Sequence, residues 1–158
     1  MFLGYIECLA QLTVVGEVNQ ESFNDRFLYM SERKDTYFPQ VITDETGKIV
    51  AAGTLIIERK FIRNCGACGH IEDIVVDSAQ RGKNLGKILL KRLRELALNE
   101  LGCYKVILDC EEGKVPFYEK CGFVRSHKIP NFFTDNYDHP IYEGGVQLID
   151  MVYLQRCL

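Results

Sequence analysis

The chain has 158 residues, of which 47% are apolar and 26% charged. That is the mix of one folded globular domain, and it excludes the disordered, fibrous and low-complexity classes. A net charge of −3 argues against a nucleic-acid binder, which is normally basic overall or along one face. The longest strongly apolar run, Ile49–Ile57, falls far short of the ~20 residues a membrane span needs. No positive segment precedes the first apolar residues, so a secretory signal is not expected. The final Gln155-Arg156-Cys157-Leu158 matches neither a Ser-Lys-Leu address nor a CaaX box. Seven cysteines, an odd number, point to reduced thiols in an intracellular compartment. The cytoplasm is the first expectation, with an organelle left open.

In chain order, the spacing of Phe2, Leu3, Tyr5, Ile6, Leu9 and Leu12 predicts a helix over 2–12, closed by Gly16. Asn19 is a candidate N-cap for a second helix, with Phe23, Phe27, Leu28 and Met30 along one side. Residues 37–43 and 48–59 read as strands joined by the turn Asp44-Glu45-Thr46-Gly47. The second is too continuously apolar for an exposed edge. A third strand spans Gly69–Asp77, and the loop Ser78–Gly86 opens into an amphipathic helix ending at Gly102. Its apolar face is Leu85, Ile88, Leu89, Leu93, Leu96, Ala97 and Leu101. A buried strand, Cys103–Asp109, comes next, then a short helix, Val115–Cys121, with Pro116 in its first turn. The tail is polar and turn-rich around Asn131–Gly145 and ends in a strand-like run, Val146–Leu154. There is no repeat and no linker, so residues 1–158 form one domain. A strand–helix–strand unit after antiparallel strands gives a single α/β fold with a mixed sheet.

Several groups carry chemistry. Arg81-Gly82-Lys83-Asn84-Leu85-Gly86-Lys87 lies between a strand and a helix, where backbone N–H groups converge on an anion. Glycines allow close approach, and Asn84 is a non-glycine residue that tolerates a left-handed backbone. The alternative is an ordinary basic helix start; a P-loop is absent. Glu72 and Asp73, adjacent in an apolar strand, face opposite sides, one toward a polar cleft or both toward salt bridges. Asp109 ends a strand where α/β sheets place their ligand crevice. Phe117 and Tyr118 are core rings or site residues. Cys65-Gly-Ala-Cys68 with His70 falls short of the four ligands of structural zinc. No metal is expected, and Asn64–Gly69 reads as a small-residue turn between strands.

Together these segments resemble the GNAT acyltransferase superfamily, whose pyrophosphate signature is Arg/Gln-x-x-Gly-x-Gly/Ala, with Asn84 in place of the first glycine. Within it, the chain is similar to the eukaryotic glucosamine 6-phosphate N-acetyltransferases. The resemblance rests on Thr54–Arg63, Gly69–Val76, Arg81–Gly86, Gly102–Cys110 and Phe117–Phe123, with Leu12–Gly16 and Glu21-Ser22-Phe23 upstream. It covers roughly residues 4–123.

The resemblance implies a GNAT acyl-CoA N-acyltransferase fold, with a mostly antiparallel sheet around a central parallel β-α-β unit. It implies transfer of acetyl from acetyl-CoA to the amine of glucosamine 6-phosphate, directly in a ternary complex, on the way to UDP-N-acetylglucosamine. Backbone groups of Ile74, Val75 and Val76 would pair with the pantetheine arm, and Arg81, Gly82, Lys83, Asn84, Leu85 and Gly86 would hold the pyrophosphate. Tyr118 would hydrogen-bond the CoA sulfur and stabilise or protonate the thiolate. A phenol near pKa 10 does so at a cost of roughly 2 kcal/mol. Thr13, Lys60, Arg63, Glu72, Asp73 and Asp109 would line the sugar-phosphate site, with Asp109 orienting the amine.

The sequence departs from the family at several points. Its usual first strand is missing, Arg63 replaces a histidine, and Lys114 stands where an asparagine contacts CoA. The tail, 124–158, is a divergent extension with an insertion around Asn131–Gly145. The family's C-terminal Met-x-x-Arg becomes Met151-Val-Tyr-Leu154, leaving Arg156 as the nearest substitute. Family members are homodimers completed across the interface through that segment, so a homodimer is expected. The rivals are a GNAT acting on a polyamine or protein lysine, and a non-catalytic acyl-CoA-binding module.

Overall fold

Leu85–Glu95 (helix α3) carries its leucines three and four residues apart, and this stripe sets the architecture. Leu89, Leu90 and Leu93 are buried against one face of a six-stranded sheet, whereas Ile88, expected on the apolar face, is exposed and Leu90 takes its place. At about 25 cal/mol per Å² of apolar surface, burying such side chains is the main term holding helix to sheet. The computed structural model describes residues 4–143 and 145–157. The sheet's strands are β1 (Tyr37–Thr43), β2 (Ile49–Arg59), β3 (Ala67–Val76), β4 (Cys103–Glu111), β5 (Val124–Ile129) and β8 (Met151–Cys157). Their spatial order is β1-β2-β3-β4-β8-β5. Only the β3–β4 pair is parallel; the other neighbours run antiparallel. The expected mixed, mostly antiparallel sheet with a parallel β-α-β unit is therefore what forms.

On the sheet's other face, α1 (Tyr5–Leu9) covers a smaller cluster of Cys8, Ala52 and Val75. The helix expected over 2–12 is shorter, because hydrogen-bonded turns replace helix from Ala10, and residues 2 and 3 lie outside the described residues. α2 (Gln20–Glu32) starts at Asn19, whose side chain accepts from the Ser22 N–H at 2.9 Å. That is the expected cap. The sequence predicts one helix from Leu85 to Leu101, but α3 ends at Glu95. Residues Leu96–Glu100 widen into a π turn in which the Leu101 N–H donates to the Leu96 carbonyl.

Two readings of the sequence are corrected. Asn64–Gly69 is not a turn throughout, since β3 begins at Ala67 and Cys68 is fully buried within it. Arg63, Asn64 and Cys65 alone make the reversal, each with φ near +57°. The tail also holds more than one terminal strand. β5 pairs with β8, and between them lie α5 (Phe132–Asn136) and a two-residue hairpin, β6 (Tyr142–Glu143) with β7 (Val146–Gln147). Every residue of β5 is exposed, so the strand lacks the buried alternation that marks strands in a sequence. The last strand starts at Met151 rather than Val146.

Candidate active site

The site begins with a mismatch in the β2–β3 ladder. Ala52 pairs with Val75 and Thr54 with Glu72, so Asp73 and Ile74 together face Gly53. This is a β-bulge, and Asp73 takes φ +56°. Gly53 lies opposite it, where a Cβ would stand 2.5 Å from Ile74 Cδ1 and force that side chain to shift. The parallel β3–β4 ladder runs from Ala67↔Cys103 to His70↔Ile107 and then stops. Beyond that point the strands part. Ile71–Val76 on one side and Asp109–Glu111 on the other line a cleft of about 610 Å³.

The loop after β3 forms one end of the cleft. Asp77 accepts from the Ala79 N–H at 2.9 Å, and Gly82 (φ +82°) and Asn84 (φ +61°) turn the chain into α3. No side chain caps the start of α3, so its first N–H groups are left for a ligand. Arg81, Gly82, Asn84, Leu85, Gly86 and Lys87 line the cleft here. Lys83 does not; its ammonium donates to Gln80 Oε1 at 2.6 Å. A Cβ on Gly86 would meet the Phe117 ring at 3.1 Å, so glycine lets α3 and α4 (Val115–Lys120) close on each other.

The floor is acidic: Glu72 and Asp73, expected on opposite sides of the strand, both line the cleft, because the bulge breaks the alternation between them. Burial raises the proton affinity of Glu72, Asp73 and Asp109, and the charges of Asp109 and Asp73 raise Glu72 further. Tyr118 is buried between the Phe117 and Phe123 rings, with centroids 5.1 and 6.3 Å away. Burial pushes its hydroxyl well above the ordinary phenol range, with Cys110 and Asp109 adding to the effect. The neighbouring Cys110 thiol is pushed up to about 12, again chiefly by burial. It stays protonated at neutral pH and is a poor nucleophile.

Three expected substrate residues stand outside this cleft. Thr13 follows α1 and donates its N–H to the Leu9 carbonyl at 3.2 Å. Lys60 and Arg63 flank the start of β3, at the end opposite Val76. Lys60 binds Glu58 at 2.5 Å, and Glu58 also meets His70 Nε2 at 2.9 Å. The Arg63 guanidinium lies 5.9 Å from the Tyr104 ring centroid. Arg156 is also turned elsewhere, donating to the Cys121 carbonyl at 3.2 Å. Cys65 is not part of the one group with metal-ligating potential among the described residues, Glu58, Cys68 and His70, where Lys60 already holds the carboxylate. The sequence reading missed Glu111, Phe133, Glu143 and Leu148, all in the cleft wall. Glu111 follows Asp109 by two on the same strand face, a period that could have found it. Nothing in the sequence places the other three.

A bulged strand splayed from its parallel neighbour, with an uncapped helix start at the mouth, is the frame of an acyl-CoA-dependent transferase. The chain belongs to the acetyltransferase (GNAT) family, whose pattern matches residues 6–123. It is 52% identical over 123 residues to glucosamine 6-phosphate N-acetyltransferase 1 of Dictyostelium discoideum, covering 77% of each chain. It is 52% identical over 120 residues to the glucosamine 6-phosphate N-acetyltransferase of Arabidopsis thaliana, 75% of this chain and 80% of that one. A crystal structure of the Arabidopsis thaliana enzyme superposes with a TM-score of 0.76 at 50% identity, over 79% of this chain and 85% of that one.

Proposed function

We propose that this chain is a glucosamine 6-phosphate N-acetyltransferase. It transfers acetyl from acetyl-CoA to the sugar amine, giving N-acetylglucosamine 6-phosphate and CoA. The observation that carries this is identity of about half the residues to enzymes of that name over three quarters of the chain. The splayed cleft supplies a place for the chemistry. The product is the kind of phosphorylated amino sugar from which UDP-N-acetylglucosamine is made.

Each role follows from position. The edge of β3 at Ile74, Val75 and Val76, turned from β4, offers backbone groups to the pantetheine amides as an added strand would. An N–H there also polarises the thioester carbonyl. The start of α3 with Arg81 and Lys87 receives the pyrophosphate. Lys83 can join only by leaving Gln80. Tyr118 donates to the sulfur as it becomes a thiolate. Because burial keeps this hydroxyl protonated, hydrogen-bond donation is its main contribution, and full proton transfer costs more than for an ordinary phenol. Asp109 and Glu72, with raised proton affinity, orient the amine and take its proton.

Thr13, Lys60 and Arg63 do not themselves line the cleft, and their part in holding the sugar phosphate rests on the resemblance. A homodimer with shared sites, as the resemblance implies, would let a second copy bring further groups to the cleft. Seven unpaired thiols fit a reducing compartment such as the cytoplasm. The test is CoA release from acetyl-CoA with glucosamine 6-phosphate, glucosamine, spermidine or a lysine peptide. Release with the sugar phosphate alone is expected; release with another amine overturns the substrate assignment. CoA binding without release would favour a non-catalytic module.

A further inference from the structure

The segment between β5 and β8 stands where the family pattern, which ends at residue 123, assigns nothing. Three of its residues, Phe133, Glu143 and Leu148, line the cleft, and Leu148 is only 9% exposed. Its base is fixed. The Asn131 N–H donates to Asp150 Oδ1 at 2.8 Å, and the Phe133 N–H donates to the Ile149 carbonyl at 3.0 Å. Lys128 holds the same Asp150 at 2.5 Å. The Leu148 N–H donates to the Ile141 carbonyl at 2.8 Å, folding the hairpin back.

The tip is tied across the cleft. Lys114, at the start of α4, pairs with Glu143 on β6 and with Glu111 at 3.5 Å. The Lys114 ammonium thus meets a carboxylate from the segment between β5 and β8. Lys114, Glu143 and Tyr118 line the same cleft.

We propose that residues 131–143 and 145–149 form an outer wall of the acyl-CoA site, clasped shut by Lys114–Glu143, and that this clasp slows departure of the cofactor. The inference rests on the acetyltransferase reading above. Both side chains of the pair are partly exposed. Such a pair is weak enough to open for entry and strong enough to delay exit.

The test is the dissociation rate of CoA, read by stopped-flow displacement with no acceptor present. Glu143→Gln is expected to raise that rate about two- to fivefold, the range of one exposed ion pair. Phe133→Ala, which removes an apolar wall contact, is expected to raise it further. The charge swap Lys114→Glu with Glu143→Lys is expected to restore the slow rate that either single change loses. Added salt should speed release from the wild type more than from Glu143→Gln. Wild-type rates in both Glu143→Gln and Phe133→Ala would overturn the clasp, as would a swap no slower than its singles. If the wild type binds no CoA, the functional reading fails and the clasp with it. If it binds and turns over while the variants release at the wild-type rate, the clasp alone fails.

Discussion

The two halves of β3 do different work in one strand. Ala67–His70 is bonded on both edges, to β2 and to β4, and belongs to the core. Ile71–Val76 is bonded only to β2 and turns its other edge to a cleft. They divide after His70, where pairing with β4 stops, and the bulge at Asp73 and Ile74 lies within the open half. The zipped half fixes the sheet, and the open half keeps its N–H and C=O groups for a ligand that mimics a strand.

Removing the bulge's partner should have the largest effect. Gly53→Val would drive a side chain into Ile74, and overpacking of this kind costs roughly 3 kcal/mol. A lower Tm together with lost acetyl-CoA binding is expected; normal binding would mean the bulge does not shape the site. Next, Tyr118→Phe keeps the buried ring but removes the donor at the open half. A fall of about 100-fold in kcat, with the KM for acetyl-CoA little changed, is the expected steady-state result. An unchanged kcat would remove Tyr118 from the leaving-group role.

Lys60 belongs to the zipped end and does not line the cleft of its own protomer. Lys60→Ala is expected to raise the KM for glucosamine 6-phosphate at least about tenfold, or about 1.4 kcal/mol, if a second copy completes the site. Equal loss toward unphosphorylated glucosamine would make the lysine structural, as the partner of Glu58. The smallest effect concerns stability. Burial makes Asp109 hold its proton more tightly when folded than when unfolded. Ionising it at neutral pH therefore opposes folding. Asp109→Asn should lose activity yet gain about 1 kcal/mol or less of stability at pH 7, seen as Tm. That gain should fade as the pH falls toward the ordinary carboxylate range, near about 4.

The parts legible in the sequence were those whose signal is local. The leucine stripe of α3, the Asn19 cap and the Arg81–Gly86 loop each carry their pattern within a few residues. Asn84 takes the left-handed conformation its side chain favours. The bulge was not legible, because nothing in Ile71–Val76 marks Asp73 for a positive φ. Its one trace was Gly53, isolated in an apolar strand, where glycine often signals a bulge or close approach. Asp109 was legible by strand position, whereas Glu72 and Asp73 were expected on opposite faces and both line the cleft. Thr13, Lys60 and Arg63 came with the resemblance alone, and they are not among the residues that line the cleft. Phe133, Glu143 and Leu148 were hidden because their place depends on pairing between β5 and β8, strands joined by a long polar stretch.

The outer strands bear on how this sheet behaves in a crowded solution. β1 carries Pro39, which has no N–H to offer a neighbour. β5 carries Arg125 and Lys128, tied to Glu112, Glu119 and Asp150. Proline at one border and paired cations at the other both discourage a stray strand from docking and seeding aggregates. With both borders blunted, the sheet can leave the gap beside Val76 open to an extended guest without inviting other chains to stack on its rims.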